Sequence, residues 1–309
     1  MNLDGASVLV TGATGFVGPY LVQALTEKDA RVKILTLSKD EIPSNLHADN
    51  LEIVTGDITR PETLDRITEG VDFVFHLAAI SNVDYAIRNP VKTYDVNVRG
   101  ILNLLEEVRK NSVQKFIHIS SSHVYGVPQY IPVDEKHPIA PREPYSASKA
   151  AAENIVFAYS GAYGINTAIL RPFNIYGPGQ HESFLIPSII KQAYGNDVIE
   201  VGNLEPTRDF TYITDVVAGF LIIAESGSGV YNIGSGVEVK VGDIVHKIVD
   251  IINFDIEIRS VVDRQRSGGV EISRMCADVT RLKRLGWEPK VGLGEGLEKT
   301  VTYFEMDGL

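Results

Sequence analysis

The sequence predicts an α/β fold: a Rossmann-type doubly wound parallel sheet with a smaller C-terminal lobe for substrate. Three observations lead there. A glycine-rich turn follows the first apolar run, strand-like and helix-like stretches alternate through the first half, and the pattern loosens after about Pro172. Repeated strand–helix alternation implies parallel strands, right-handed crossovers and helices on both sheet faces.

In chain order, Ser7–Thr11 is a short apolar run, as expected of a strand buried on both faces. After Gly12–Gly18 a helix is expected from about Pro19 to Lys28, with Leu21, Val22 and Leu25 on one side. Arg31–Leu37 and Leu51–Thr55 read as the next strands, and Pro61–Ile67 as a short helix with Thr59 as its N-cap. Val71–Leu77 is strand-like. Thr93–Asn111 reads as one long helix, with Val98, Ile101, Leu102, Leu105 and Val108 at helical spacing. Lys115–Ile119 is another buried strand, Tyr145–Tyr163 a helix and Asn166–Leu170 a sixth strand. Further on, helices are expected at Phe184–Tyr194, Thr214–Ala224, Val241–Ile252 and near Leu293–Phe304, and a strand at Asp255–Val262. Gly229–Gly234 is expected to return as a strand to the main sheet. This divides the chain into a dinucleotide-binding domain, residues 1–175 with a returning segment near 208–234, and a substrate lobe, residues 176–207 and 235–309.

The composition narrows the function classes. With 309 residues, 44% of them hydrophobic, the chain can bury a large core. A formal net charge of −11 argues against a nucleic-acid binder, which needs clustered Lys and Arg. No apolar run approaches the roughly 18–20 residues of a membrane span. Nothing at the N-terminus reads as a signal peptide, and the single cysteine, Cys276, allows no intrachain disulfide. A cytoplasmic protein is expected.

Gly12-Ala13-Thr14-Gly15-Phe16-Val17-Gly18 follows the first strand and opens the first helix. A backbone without Cβ atoms lets a pyrophosphate reach the amide N–H groups and the positive end of the helix dipole. The bland alternative is a tight strand–helix turn without a ligand. An acid at the end of the second strand would hold the adenosine ribose of NAD. Leu35-Thr36-Leu37-Ser38-Lys39-Asp40 does not place one cleanly, and Ser38 and Lys39 are equally suited to a 2′-phosphate, so NAD and NADP both stay open. Asp57, next to Ile58, is a candidate for the adenine edge.

Tyr145 and Lys149 are four apart and share a helix face. A nearby ammonium favours phenolate, which would make the tyrosine a usable base. Ser120-Ser121-Ser122 follows a buried strand, so its hydroxyls lie at the sheet's C-terminal edge; by itself it also reads as a serine-rich turn.

Taken together, GATGFVG at 12–18, GDI at 56–58, HLAA at 76–79, Asn97 within DVNVRG, SSSHVYG at 120–126, YSASK at 145–149, RPFNIYGPG at 171–179 and RDFTYITDV at 208–216 resemble the extended short-chain dehydrogenase/reductases that act on nucleotide sugars. The resemblance runs over nearly the whole chain. It implies Ser121, Tyr145 and Lys149 as the catalytic group and an NAD or NADP cofactor. Gly12, Gly15, Phe16, Val17, Gly18, Asp57, Ile58, Leu77, Ala78, Ala79 and Pro172 would line that cofactor, with Tyr145 and Lys149 at its nicotinamide end. It further implies a nucleoside diphosphate sugar as substrate, with Asn174 and Arg208 at its phosphates or sugar and Ser81, Asn82, Ser122 and His123 nearby. For Arg208, a salt bridge with Asp209 or Asp215 is the structural alternative. Arg266 is similar to a second phosphate arginine, although the family's Arg-Pro-Gly here reads Arg266-Ser267-Gly268. A homodimer through Thr93–Asn111 and Tyr145–Tyr163 is implied as well.

The shared first step of this family is oxidation of a sugar hydroxyl, usually at C4. Dehydratases commonly follow the catalytic Ser/Thr with Asp-Glu or Ser-Glu, and here Ser122 and His123 stand there. The missing glutamate counts against dehydration, with His123 as a conceivable replacement base or simply a packed or solvated side chain. The leading expectation is a 4-epimerase of the UDP-glucose/galactose type. The rivals are an NADPH-dependent 4-keto-6-deoxyhexose reductase and a 4,6-dehydratase, both of GDP-sugar type, and remotely a non-catalytic dinucleotide sensor.

Overall fold

The computed structural model describes residues 1–43, 46, 50–252, 256–261 and 272–306. Its elements run in chain order as follows. The first half carries β1 (Ser7–Thr11), α1 (Val17–Thr26), β2 (Arg31–Thr36), β3 (Leu51–Thr55), β4 (Phe73–His76), α2 (Val83–Arg88), α3 (Pro90–Tyr94), α4 (Gly100–Lys110), β5 (Lys115–Ile119), α5 (Pro144–Tyr163) and β6 (Thr167–Pro172). The second half carries β7 (Asn174–Tyr176), α6 (Leu185–Gly195), β8 (Val198–Val201), β9 (Thr207–Tyr212), α7 (Ile213–Ser226), β10 (Gly229–Ile233), β11 (Glu238–Lys240), α8 (Val241–Ile252), β12 (Glu257–Ser260), α9 (Thr280–Lys283) and α10 (Leu293–Met306).

Seven strands form one parallel sheet in the order β10-β6-β5-β4-β1-β2-β3. The order reverses between β1 and β4, and the crevice beyond their carboxyl ends is where such sheets bind ligands. Side chains alternate between the two faces of a strand. Val8, Val10, Phe73, Phe75 and Ile117 join one apolar layer, with α1 and α7. Leu9, Val74 and Phe116 join the other, with Ile101 and Leu104 of α4 and Ala152 and Val156 of α5. Both faces are therefore covered, which is why the strands read as unbroken apolar runs.

The expected doubly wound sheet is observed, and Gly229–Ile233 does return to it, pairing parallel with β6. Two expectations need correction. Thr93–Asn111 is not one helix: α3 and α4 are joined by a π turn at Asp95–Arg99, which sets Asn97 inward. There Asn97 brackets Ile80, accepting from its N–H at 2.8 Å and donating to its carbonyl at 3.0 Å. Pro61–Ile67 is only a 3-10 turn at Pro61–Thr63, because Arg66 adopts a left-handed φ of 59°. Thr59 does not cap it; its N–H and hydroxyl both donate to Asp57.

Beyond the main sheet, β11-β9-β7 form a three-stranded sheet and β12-β8 a parallel pair. β7, β8, β9 and β11 went unforeseen, being short or rich in Asn, Arg, Asp and Lys. Tyr20 of α1 donates to the carbonyl of Pro178 at 2.9 Å, tying the glycine-loop helix to the Gly177–Gly179 turn. Lys115 opens β5 yet is buried; its ammonium donates to the carbonyls of Ile223, Ala224 and Gly227 and closes the C-terminus of α7.

One buried ion pair sets α5 on the sheet. Glu153 of α5 accepts from Arg171 Nε at 2.9 Å and Nη2 at 2.5 Å, and from the Ser120 hydroxyl at 2.5 Å. Both side chains are buried. Breaking such a pair leaves a charge without compensation. Glu153→Gln is expected to lower unfolding free energy by about 3–5 kcal/mol in denaturant melts, and Glu153→Leu with Arg171→Met to recover most of it. A loss under about 1 kcal/mol in the single variant would show that the pair does not hold α5.

Candidate active site

The glycine loop lies at the carboxyl end of β1. Gly12 has φ +74°, and a Cβ on it would come within 2.6 Å of the Ala78 nitrogen. Ala78 N–H also donates to the Thr11 hydroxyl at 3.3 Å, and Leu77 N–H to the Thr11 carbonyl at 3.0 Å. The loop and the segment Leu77-Ala78-Ala79 after β4 are thus joined. At the start of α1, Phe16 makes no side-chain cap and the first turn holds no acid. The N–H groups at Phe16, Val17 and Gly18 are left for an anion. Above Gly15, a Cβ would meet only the Gly12 carbonyl, at 3.4 Å. The loop therefore has the free amides, dipole and bare backbone that a dinucleotide pyrophosphate requires.

Asp57 follows β3. Burial raises its pKa, but the two bonds from Thr59 win, and the carboxylate lies below its ordinary range. Ile58 is buried against Gly100 of α4. At the end of β2, Leu37 is exposed, and the Ser38 hydroxyl accepts from Asp40 N–H at 3.2 Å. No acid closes that strand.

Tyr145 sits in the first turn of α5. Glu143 fixes that turn by accepting from Tyr145 N–H at 2.6 Å and Ser146 N–H at 2.9 Å, with Pro144 at the first helical position. Gly164, in the left-handed region at φ 69°, ends the helix. The Ser121 hydroxyl lies beside the phenol of Tyr145 and acts to lower its pKa. Ser121 also starts the 3-10 turn Ser122–Tyr125, where its oxygen accepts from His123 N–H at 3.2 Å. Lys149, one turn after Tyr145, donates to the Ile119 carbonyl at 2.7 Å. The structure therefore brings Ser121, Tyr145 and Lys149 together at the carboxyl edge of β5.

Their electrostatics differ from the simple expectation. Burial pushes the Tyr145 pKa up to about 12; the neighbouring Ser121 hydroxyl opposes this and the Glu143 charge adds to it. The ammonium of Lys149 is turned to a backbone carbonyl, so it does not bring the phenol down. Burial lowers Lys149 itself to about 8, with Glu153 opposing. Burial, helped by Lys149, takes His76 down to about 3, and acts in the same direction on His118. Neither of these imidazoles is therefore a second cation beside Lys149.

Ser122 is buried. His123 is 29% exposed, with its ring edge-on to Tyr145 at a centroid distance of 5.9 Å and Nδ1 3.8 Å from the Glu143 carboxylate. Pro172 is buried at the end of β6. Asn174 on β7 donates to the Asp209 carbonyl at 3.1 Å, and Arg208 lies on the neighbouring β9. The Asp209 carboxylate accepts from Ser235, Gly236 and Ala277, and Asp215 from Val291 N–H. Asn82 caps α2 and reaches the Ser183 hydroxyl at 3.3 Å, beside exposed Ser81; these two stand on a separate segment from Tyr145. Arg266 lies outside the described residues. Glu143 and Asn97 were given no role from sequence. An acid directly before Pro144 was a readable helix-cap signal, whereas the contacts of Asn97 carried none.

A buried ammonium that must stay charged opposes folding. Since the Lys149 pKa is depressed, the penalty is full below about pH 8 and fades as pH rises toward 10.5. Lys149→Met is expected to be more stable than the parent near neutral pH by on the order of 1–3 kcal/mol, with the gap closing by about pH 10. Thermal melts across that range check it; a gap independent of pH would refute the assignment.

The family profile described as GDP-mannose 4,6 dehydratase matches residues 9–300. A Methanocaldococcus jannaschii protein, provisionally named a UDP-glucose 4-epimerase, is 36% identical over 306 residues, 96% of this chain and 98% of its own. UDP-glucose 4-epimerase of Thermotoga maritima, solved with UDP-glucose, superposes with a TM-score of 0.90 at 31% identity, covering 97% of this chain and 99% of that one. The dTDP-glucose 4,6-dehydratase DesIV of Streptomyces venezuelae, solved with NAD, gives 0.91 at 28% identity and 97% coverage of each. Cofactors in solved structures of this fold are NAD or NADPH. With the free-amide loop and the Ser121–Tyr145–Lys149 group in place, the chain belongs to the nucleotide-sugar epimerase and dehydratase group of the extended short-chain dehydrogenase/reductases.

Proposed function

We propose that the chain is an NAD(P)-dependent nucleotide-sugar 4-epimerase working through a transient 4-keto sugar, with UDP-glucose and UDP-galactose as the leading pair. The observation that carries this reading is the Tyr145 phenol beside the Ser121 hydroxyl, with no carboxylate at Ser122 or His123. Such a group can take and return a hydroxyl proton, which is all the proton chemistry a 4-epimerase needs. The names of the M. jannaschii and T. maritima relatives support it.

In this scheme Gly12 and Gly15 keep the loop bare while the amides at Phe16, Val17 and Gly18 hold the pyrophosphate, and Asp57 and Ile58 border the adenine. Leu77, Ala78, Ala79 and Pro172 wall the nicotinamide. Asn174 and Arg208 hold the substrate's phosphates or sugar, with Ser81, Asn82, Ser122 and His123 nearer the hexose. NAD(P) bound there would supply the acceptor and donor of the C4 hydride. Tyr145 takes the C4 hydroxyl proton, Ser121 steadies the oxygen, and Lys149 turns toward the ribose. We place the substrate lobe at residues 176–207 and 235–309 and the enzyme in the cytoplasm. Among the described residues no helix is long and apolar enough to cross a membrane.

A 4-keto-sugar reductase is the second reading, favoured by the acid-free end of β2, which suits NADP. Denaturing the purified protein and identifying its cofactor separates the two. Tightly held NAD with UDP-galactose turnover supports epimerisation; an empty protein that consumes NADPH only with a 4-keto sugar would sink it. Tyr145→Phe should cut turnover by about two to four orders of magnitude while cofactor binding is retained; normal turnover would refute the base.

We also infer a homodimer through α4 and α5, which present exposed Leu102, Phe157 and Tyr163. Apolar side chains grouped on paired helices favour burial against a second copy. Leu102→Glu with Phe157→Glu is expected to shift sedimentation from dimer to monomer. A parent protein that sediments as a monomer at tens of micromolar would overturn this.

A further inference from the structure

The short strand β7, which carries Asn174, is tied to the dinucleotide domain at both ends. Before it, Phe173 N–H donates to the Ile233 carbonyl of β10 at 2.8 Å. After it, the chain turns through Gly177-Pro178-Gly179, and the Pro178 carbonyl accepts from the Tyr20 hydroxyl of α1 at 2.9 Å. The two glycines flanking Pro178 have φ +152° and +77°, backbone that other residues rarely adopt. A Cβ on Gly177 would come within 2.6 Å of the Ile213 side chain. The turn is therefore shaped to lie close against its neighbours and to present that carbonyl. On the other side of the bond, α1 is held to the sheet by buried Leu21, Val22 and Leu25. The Tyr20 ring meets Phe16 edge-on at a centroid distance of 6.3 Å, and Phe16 stands at the helix end whose amides face the pyrophosphate site. Burial first, and then Tyr212 and Tyr303, raise the Tyr20 pKa to about 12, so the phenol stays protonated and a donor near neutral pH.

We propose that Tyr20 is a positioning residue: its hydrogen bond to Pro178 fixes the spacing between the dinucleotide site at α1 and the substrate site at β7 and β9. That spacing sets how the sugar meets the nicotinamide. The inference rests on the 4-keto reading above and on its placement of the substrate's phosphates or sugar at Asn174 and Arg208. In that scheme the N-terminus of α1 holds the cofactor by its pyrophosphate, while β7 and β9 hold the substrate. These two strands form one piece, paired in parallel and joined by the bond from Asn174 to the Asp209 carbonyl at 3.1 Å. Hydride transfer at C4 needs close and aligned contact, and a misplacement of about 1 Å can cost about a hundredfold in rate. The Tyr20 hydroxyl is spent on Pro178 and holds neither ligand itself. Losing it leaves each site with its own donors and frees the turn end of β7 from α1.

The test is Tyr20→Phe, which keeps the ring and its packing on Phe16 and removes the hydroxyl alone. Turnover of UDP-glucose and UDP-galactose is measured per cofactor-loaded site, together with KM, cofactor affinity and melting temperature. The expected result is a kcat lowered about tenfold, with KM and the cofactor Kd within about twofold of the parent. The C4-deuterium isotope effect on kcat is expected to be at least as large as the parent's, because hydride transfer is the step that slows. A smaller isotope effect shows that another step has slowed, and overturns the inference. A role confined to the fold would lower the melting temperature and leave kcat per loaded site unchanged, which overturns it too. So does a raised KM or weakened cofactor binding at unchanged kcat. Each of these results leaves the epimerase reading standing. Absence of both C4 product and cofactor reduction in the parent, with these two sugars and with UDP-N-acetylglucosamine, overturns the 4-keto reading and the inference with it.

Discussion

The pairing of Glu153 with Arg171 is the constraint on which the candidate site depends. It joins α5, which carries Tyr145 and Lys149, to β6, and through the Ser120 hydroxyl to the end of β5. Arg171 also donates to the Tyr125 hydroxyl at 2.9 Å, and Tyr125 donates to Asn232 of β10 at 2.6 Å. One charge pair therefore spans three adjacent strands and the turn that begins at Ser121. Two apolar side chains would bury more cheaply. They would not fix the height of α5 along the strands, and that height decides whether the Tyr145 phenol meets Ser121.

A second set of bonds fixes the rotation of α5. Asn97 donates to the Ser148 hydroxyl at 2.8 Å, while its other contacts bracket Ile80. Ser148 lies between Tyr145 and Lys149, so the π turn holds the helix face that carries both. The widened turn costs regular helical bonding, and such turns recur where a side chain must be aimed. Lys149 is the charged group at the centre of this frame, with Glu153 one turn further along the helix. Keeping an ammonium there uses stability for position, as is common where a site must be organised before its ligand arrives.

The parts of this arrangement differ in how far the sequence reveals them. β1, β4, β5 and β6 are covered on both faces, so they announce themselves as apolar runs within a residue or two of their ends. The glycine loop and the Tyr145–Lys149 spacing are equally plain, because a strand before and a helix after give them context. β7 and β9 carry Asn174 and Arg208 and are half polar, and their pairing is set by long-range packing that no local pattern records. The same is true of the break at Asp95–Arg99, where helical periodicity continues through a turn that a contact with Ile80 forces open. The Tyr145 pKa runs opposite to what the spacing implies for a related reason. Spacing places Lys149 on the same face, but only three-dimensional contacts show its ammonium spent on Ile119.

Glu143 shows how the chemistry of such a site becomes non-local. As the cap of α5 it must be ionised, since both oxygens accept backbone N–H groups, and that charge makes the Tyr145 phenolate harder to form. The same carboxylate lies 3.8 Å from Nδ1 of His123, twenty residues earlier in the chain. A helix cap from Ser, Asn or Asp would stabilise α5 comparably, but its shorter side chain would leave less of a carboxylate, or none, facing His123. The ease of ionising the phenol therefore depends on the cap of a helix whose sequence signal concerns folding alone.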